Sequence, residues 1–330
     1  MLLILSNQED AHVPLVLAKL DQRGAEYLWF DPSRFPGEAQ VSFGCSASGV
    51  TERLLTCGGR TYDLSKVRAV WYRRPGAPAA GADVTDPTHR QYVDQSSERF
   101  LTGVWETLEC RWLPGKPTAH RLAHNKVVQL PLAARLGFLL PDTLITNAPA
   151  RFIDFYADCD ARLVSKSLIP MNIVRDDEDH IISYTHPVHR RQLANAQAVR
   201  HSPVIFQSYV PKSSELRVTV IGRKVFAAEI PSQESQTTRH DWRHDYDGNV
   251  PYRSYHLPAE VERRCVAMVE ALGLTYGAID LILTPDGEFV FLEINANGQW
   301  AWVEDLTGLP LADTVADFLL HGDPDGASTC

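Results

Sequence analysis

Two apolar segments near the end of the chain, 277–283 and 288–294, constrain its fold more than any other feature. A Pro-Asp-Gly turn separates them, and short apolar runs bounded in this way predict a β-hairpin. A second hairpin is predicted over 216–230, around an Ile-Gly-Arg-Lys turn. A helical pattern over 259–272, closed by glycine, lies between the two hairpins. The chain is therefore expected to contain an antiparallel sheet covered by helices.

Three oxygen-bearing side chains interrupt the later hairpin: Asp280 on its first strand, Glu293 and Asn295 on its second. Because successive side chains alternate between the faces of a strand, Glu293 and Asn295 share one face, and Leu292 and Ile294 are expected on the other. Carboxylate and amide oxygens suit Mg²⁺. The alternative is an edge strand with its polar side chains turned to solvent, and the pattern alone leaves both open.

Two lysines upstream of the hairpins are candidates for binding phosphate. Lys126 begins a predicted helix, and Lys166 ends the apolar strand 163–166, where its charge needs a partner. Phosphate oxygens would supply one, whereas the alternative is a lysine whose stem runs to the sheet edge. Beyond them, the strand 204–210 carries Gln207, whose amide and neighbouring backbone are able to face a purine edge.

Composition narrows the class of protein. The 330 residues predict about two domains at ~150 residues each. The net charge of −9 disfavours a nucleic-acid partner, because phosphate backbones require basic surfaces. The six cysteines form no Cys-x-x-Cys pair, the first residues lack a secretory n-region, and no apolar run is long enough to cross a membrane. These observations predict a cytoplasmic protein with no membrane partner.

The N-terminal part is expected to form an α/β unit. An apolar strand at 2–5, a helix at 13–23 and a strand at 26–30 follow one another, and the strand 67–72 runs directly into Arg73 and Arg74. The Pro-Gly-Lys-Pro sequence at 114–117 indicates a domain boundary. No Walker loop and no serine nucleophile elbow is found.

Taken in order, these residues carry a family resemblance. The chain resembles the ATP-grasp superfamily in the following residues and segments, taken in order: Lys126, Lys166, Gln207 to Val210, Glu215-Leu216-Arg217, Asp280 and Leu292-Glu293-Ile294-Asn295. Three further segments narrow the resemblance to one family, the ATP-grasp ribosomal peptide maturases, also called graspetide or microviridin-type synthetases. These segments are Trp71-Tyr72-Arg73-Arg74-Pro75, Asp241-Trp242-Arg243 and Asn295 to Trp302.

The resemblance implies an α+β protein with an α/β N-terminal lobe, organised as an ATP-grasp fold. The implied division is a pre-ATP-grasp domain over 1–117, a central lobe over 118–203, a C-terminal lobe with the metal site over 204–322, and a disordered tail over 323–330.

For the nucleotide, the resemblance implies that Lys126 and Lys166 contact the phosphates of ATP. The hinge residues matching Gln207, Tyr209 and Val210 read adenine. Lys212 and Glu215 lie near the ribose. The loop after Lys166 lacks the glycines that many ATP-grasp enzymes place over the phosphates.

For the chemistry, the resemblance implies that Asp280, Glu293 and Asn295 bind magnesium, with two ions expected. Arg217 approaches the γ-phosphate, and Arg243 holds the reacting carboxylate or oxyanion. Four further residues are candidates for contact with the peptide: Arg73, Arg74, Trp242 and Asn297. The two adjacent arginines, at a strand end, are expected to join the same cleft or the subunit interface, and pairing with surface acids is the alternative.

The implied activity is an ATP-dependent ligase that closes ester or amide links between side chains of a ribosomal precursor peptide. The resemblance also implies a leader segment bound apart from the ATP cleft and a homodimer. The candidate surface for the leader is the hairpin 217–230 together with the polar segment that follows it. One alternative is a ligase similar to glutathione synthase or to glutamate-adding enzymes, which joins separate molecules. Another is a non-catalytic module that binds nucleotide or peptide.

Overall fold

The computed structural model describes residues 1–169, 172–174, 180–182, 185–234 and 251–323, with the backbone alone for the two short segments. Two predicted site residues, Trp242 and Arg243, lie outside the described residues, as does 324–330 of the predicted tail.

The strands are β1 (Leu2–Ser6), β2 (Tyr27–Phe30), β3 (Ala39–Ser46), β4 (Gly49–Cys57), β5 (Arg60–Asp63), β6 (Ala69–Arg74), β7 (Arg111–Leu113), β8 (Thr143–Thr146), β9 (Leu163–Lys166), β10 (Asn172–Val174), β11 (His180–Ile182), β12 (His186–Pro187), β13 (Val204–Ser208), β14 (Ser214–Ile221), β15 (Lys224–Ile230), β16 (Arg253–Tyr255), β17 (Tyr276–Leu283) and β18 (Phe289–Asn295). The α-helices are α1 (His12–Gln22), α2 (Pro87–Glu106), α3 (Pro117–Ala123), α4 (Lys126–Arg135), α5 (Pro149–Asp158), α6 (Ala259–Ala271), α7 (Ala301–Thr307) and α8 (Leu311–His321). Short 3₁₀ segments cover Pro32–Arg34, Leu64–Lys66 and Arg190–His201.

The first sheet is parallel, in the order β2-β1-β6-β7. Strand β1 is buried at every residue, which its unbroken apolar sequence predicts for a strand covered on both faces. Leu3 and Leu5 pack toward α2, whereas Leu2 and Ile4 pack toward α1 and α8. A small antiparallel sheet, β3-β4-β5, extends this part of the molecule.

The second sheet is antiparallel, in the order β12-β9-β13-β8. Phe152 and Tyr156 of α5 cover one face of it, together with the 3₁₀ segment Arg190–His201. Phe152 stacks on Phe206 of β13 with 4.3 Å between ring centroids. The hairpin β10-β11 belongs to the same stretch of chain.

The third sheet is also antiparallel, in the order β16-β15-β14-β17-β18, and contains both predicted hairpins. Leu216, Val218 and Val220 of β14 pack with the apolar face of α6. The alternate residues, among them Glu215 and Arg217, face the other way. The two charged side chains of β14 are thereby confined to the face that is turned away from α6.

All eight residues of β14 are buried, and β15 is paired on both sides. The hairpin 217–230, expected with the polar segment after it as the leader-binding surface, therefore lies inside the sheet, and β14 offers no exposed surface. The reason is topological, because β17 and β16 flank the hairpin on either side. The polar segment lies mostly outside the described residues, so the leader-binding surface stays a prediction. None of the helices in the described ranges combines the length and apolarity needed to span a bilayer.

Candidate active site

A cleft of about 1070 Å³ lies between the second and third sheets and reaches the end of β6. Its lining brings together residues that are far apart in the chain. Every predicted site residue that falls within the described ranges lines this cleft: Arg73, Arg74, Lys126, Lys166, Gln207, Tyr209, Val210, Lys212, Glu215, Arg217, Asp280, Glu293, Asn295 and Asn297.

A row of charges crosses the floor of the cleft. The strand register places Arg217 beside Asp280 and Asp280 beside Glu293. Arg217 Nη1 donates to Asp280 Oδ1 at 2.7 Å, and Lys126 forms an ion pair with Glu293. Asn295 Nδ2 donates to Glu293 Oε1 at 3.1 Å. Each carboxylate of the predicted metal set thus faces a cation from another element.

The register of β18 shifts between Phe291 and Glu293, so that Leu292 is the extra residue of a β-bulge. Leu292 lines the cleft and does not belong to the core cluster of this sheet, whereas Phe291 is buried in that cluster. Ile294 belongs to the cluster and also borders the cleft. The expectation that Leu292 faces away from Glu293 is therefore wrong. Sequence alternation alone gives no sign of the bulge.

Lys126 reaches the floor because α4 is anchored to β18. The Asn125 side chain accepts the Val127 N–H at 3.0 Å and caps the helix. One turn along, the buried Gln129 donates to the carbonyls of Ala123 and Ile294 at 2.6 and 2.9 Å, and its Oε1 accepts the Ile294 N–H at 3.2 Å. The positive end of α4 is therefore fixed beside Glu293.

The hinge after β13 forms the far end of the cleft. Gln207 Nε2 donates to Thr143 Oγ1 at 3.0 Å, so this amide nitrogen is used within the protein. The Ser208 and Tyr209 N–H groups donate to backbone carbonyls at 2.9 Å each. In the described ranges, the Val210 N–H has no such backbone acceptor. Of the three predicted hinge residues, Val210 has the backbone donor best placed for a base.

Lys212 and Glu215 lie next to the hinge as a buried ion pair, with 2.6 Å between Lys212 Nζ and Glu215 Oε1. The pair closes the cleft beside Ile282 of β17. A buried pair of this kind presents a fixed polar surface to a ligand.

Arg73 and Arg74 differ in their surroundings. The Arg73 side chain is 1% exposed, and its Nη1 donates to the carbonyls of Asn297 and Gly298 at 2.8 and 3.2 Å. Arg74 is 43% exposed and has Nε 3.8 Å from Asp10 Oδ2. Pairing with surface acids is therefore wrong for Arg73, which is committed to the loop behind the metal set.

Two histidines in the cleft were not predicted. His120 Nε2 lies 2.7 Å from Asn297 Nδ2 and 3.2 Å from His124 Nε2. Burial, reinforced by His124 and Arg73, lowers the pKa of His120 to about 4. Burial also lowers the pKa of His124. The available signal was their four-residue spacing just before Lys126, which places both on one side of a helical turn.

The donor set suits Mg²⁺ together with phosphates. Asp280, Glu293 and Asn295 offer hard oxygen donors, and Lys126 and Arg217 offer cations beside them. Arg217 Nε is buried and has no hydrogen-bond partner in the described ranges. A polyphosphate with its metal carries both signs of charge and is able to satisfy both halves of this cluster.

Two family models match successive parts of the chain. The model of the MvdD pre-ATP grasp domain matches residues 1–119, and the model of the RimK-like ATP-grasp domain matches residues 123–319.

Several solved structures are similar over almost the whole chain. The macrocyclase MdnC bound with precursor peptide MdnA, from Microcystis aeruginosa, is 29% identical with a TM-score of 0.84, over 98% of this chain and 99% of that one. MdnB from the same organism is 31% identical with a TM-score of 0.79, over 97% and 99%. A RiPP-associated ATP-grasp ligase from Chryseobacterium gregarium, in complex with ADP and a leader and core peptide, is 28% identical with a TM-score of 0.90, over 98% and 97%.

Curated relatives match a smaller share of this chain. Beta-citrylglutamate synthase B of Danio rerio is 28% identical over 37% of this chain and 30% of its own length. The Homo sapiens protein of that name is 22% identical over 72% of this chain and 60% of its own length. The chain therefore spans less than two thirds of the length of these relatives.

Proposed function

Because this chain belongs to the RimK-like ATP-grasp family and carries the MvdD-type domain of the ATP-grasp peptide maturases, we propose that it closes side-chain ester or amide links in a ribosomal precursor peptide. The reaction consumes ATP and proceeds through an acyl phosphate. Similarity to the macrocyclases MdnC and MdnB over almost the full length of both chains supports the peptide as substrate.

The observation that carries the proposal is the charge row on the cleft floor. Arg217, Asp280, Glu293 and Lys126 come from four different elements, yet meet as two adjacent ion pairs. Lys166 lines the same cleft from β9. Phosphoryl transfer depends on positioning and charge neutralisation more than on covalent chemistry by the protein, and this cluster supplies both.

In the first step, a side-chain carboxylate oxygen of the peptide attacks the γ-phosphorus, and the bond to the β,γ-bridging oxygen breaks to release ADP. Lys126 and Lys166 hold the phosphates, and Arg217 neutralises charge on the transferred group. In the second step, a hydroxyl or amine of the same peptide attacks the acyl carbon. Inorganic phosphate departs, and the nucleophile loses its proton.

Mg²⁺ belongs to this proposal, with two ions held by Asp280, Glu293 and Asn295. When bound, the metal offsets negative charge on the phosphates. The protein's own contribution is to keep three oxygen donors on one face of the β17-β18 hairpin. The hinge at Gln207, Tyr209 and Val210 is proposed for adenine.

The proposal further assigns Lys212 and Glu215 to the ribose side of the site. It places the peptide near Arg74 and Asn297, with Trp242 and Arg243 contributing from outside the described ranges. A leader segment of the precursor binds separately, the enzyme acts as a homodimer, and the reaction takes place in the cytoplasm.

The rival ligase joins separate molecules with the same ATP site. Distant similarity to beta-citrylglutamate synthase B is the observation that favours it. A non-catalytic binding module is disfavoured by the full set of phosphoryl-transfer groups, since a binder does not need them.

The test is mass spectrometry of the acidic peptide encoded beside the gene, after incubation with the protein, ATP and Mg²⁺. Loss of whole water molecules from the peptide is expected. Glu293→Gln should lower the rate by at least ~100-fold, because removing one group that acts on transition-state charge costs about that much. Glu288→Gln, an exposed residue beside β18, is the matched control and should leave the rate unchanged. Peptide of unchanged mass, with ATP spent on free amino acids, would establish the rival.

A further inference from the structure

The loop 296–300 connects β18, the strand that carries Glu293 and Asn295, to α7. Residues of the first domain, here residues 1–119, form hydrogen bonds with the backbone of this loop. Arg73, at the end of β6, donates from Nη1 to the carbonyls of Asn297 and Gly298. Arg73 Nε also lies 3.2 Å from Asp10 Oδ2, as an ion pair whose N–H points off line for a hydrogen bond. The two hydrogen bonds from Arg73 to the loop join residues more than 200 positions apart in sequence.

His12 holds the other end of the same loop. Its Nε2 accepts the N–H groups of Trp300 and Ala301 at 3.1 and 3.2 Å. Nε2 must therefore be unprotonated, which leaves the ring proton on Nδ1, where it is donated to Asp10 Oδ1 at 2.9 Å. Arg73 Nη2 lies 3.1 Å from the same Nδ1, so Arg73 and His12 are also in contact with each other. Burial lowers the pKa of His12, which agrees with a neutral ring. The ring also meets Trp300 edge-on, with 5.0 Å between centroids.

At Gly298 the loop backbone lies so close to β17 that the position has no room for a side chain. A Cβ there would collide with the Ala278 side chain on β17. The Gly298 carbonyl is shared by Arg73 and by Tyr276, whose hydroxyl donates to it at 2.7 Å. Because Gly298 lies three residues after Asn295, its position sets where the predicted metal-binding end of β18 lies.

Burying a guanidinium in order to fix the position of a loop carries a large desolvation penalty. Arg73 is 1% exposed, and a buried ion pair is often no more stabilising than apolar residues of the same volume. Its planar fork, however, fixes the positions of two carbonyls at once, which an ammonium on a flexible stem does not. Arg73 therefore contributes more to the exact position of the loop than to the stability of the fold.

We propose that Arg73, oriented by Asp10, and His12 are positioning residues of the first domain that set the geometry of the metal site in the ATP-grasp part. This inference rests on the proposed function, since it concerns the metal that accompanies ATP. It gives the first domain a part in phosphoryl transfer through the metal site, besides any part in binding the peptide. Groups behind metal ligands typically affect metal affinity by 10–100-fold.

The experiment measures Mn²⁺ binding by electron paramagnetic resonance in the presence of ADP, together with ADP affinity without metal. Arg73→Lys should weaken Mn²⁺ affinity by about 10-fold or more. Its ADP affinity without metal should stay near that of the wild type. Arg68→Lys, an exposed residue just before β6, is the control and should bind Mn²⁺ normally.

A second pair of variants keeps the test decisive where Arg73→Lys fails to fold. His12→Gln retains a side-chain acceptor for the loop N–H groups, whereas His12→Ala does not. Mn²⁺ affinity should be largely retained in His12→Gln and lost in His12→Ala. Equal Mn²⁺ affinity in these two variants, or wild-type affinity in folded Arg73→Lys, would overturn the inference. A wild-type protein that binds no Mn²⁺ with ADP would overturn the proposed function itself.

Discussion

Asp280 and Glu293 show how single residues can keep a charged cleft stable before any ligand enters. The Asp280 side chain is 16% exposed and that of its partner Arg217 is 8% exposed. A charge so placed is expensive without a partner, and the two ion pairs remove that cost. Under the proposed function, ATP and its metal would take the place of these partners, so that no bare charge is exposed.

His120 gives the protein a pH dependence at the residue scale. Its pKa is about 4 in the folded protein against 6.5 in the unfolded chain, mainly through burial. Between pH 6.5 and about 4, His120 therefore binds a proton in the unfolded chain but not in the folded protein. The free energy of unfolding should fall between pH 6.5 and about 4, by at most roughly 3 kcal/mol from this residue. Above pH 6.5 its contribution is complete.

Urea unfolding at several pH values checks this prediction. His120→Gln removes the titrating ring, so its stability should fall less than that of the wild type as the pH drops to about 4. His201→Gln, at an exposed position, is the matched control and should follow the wild type. Parallel pH curves for wild type and His120→Gln would contradict the assignment of the low pKa to His120.

At the scale of elements, α4 and β18 act as one unit through Gln129. Replacing it with leucine leaves two carbonyls and one N–H without their partner. The free energy of unfolding should fall by about 1–3 kcal/mol. Because Lys126 begins the same helix, the KM for ATP should also rise several-fold.

Urea unfolding and steady-state kinetics measure the two effects of Gln129→Leu. Gln95→Leu makes the same chemical change at an exposed position of α2, and neither quantity should change there. A loss of stability with an unaltered KM would show that α4 does not place Lys126 through this contact.

Local patterns predicted those elements whose own sequence carries a strong signal. The hairpins β14-β15 and β17-β18 follow from apolar runs around glycine turns, and both are present. Strand β3 was not predicted, because most of its residues are exposed and it lacks an apolar face. The bulge at Leu292 and the burial of Arg73 depend on partners far away in the chain. No local pattern encodes such contacts.

At the scale of the whole molecule, the last helices join the first domain to the metal-site sheet. Val13 and Val16 of α1 pack in one core with Val315 and Leu319 of α8. Arg23 reinforces the contact through ion pairs with two aspartates of α8. Trp300, 1% exposed in that core, ends the loop that follows β18. The first domain and the sheet that carries the proposed phosphate site are therefore parts of one packed structure.

The most direct test of the central claim counts ADP against rings in one reaction. If the peptide carboxylate is activated as an acyl phosphate and captured within the same peptide, each water lost should accompany one ADP and one phosphate. An ¹⁸O label placed in that carboxylate should appear in the released phosphate. AMP and pyrophosphate as products, or a peptide that gains the mass of an added amino acid, would contradict the account.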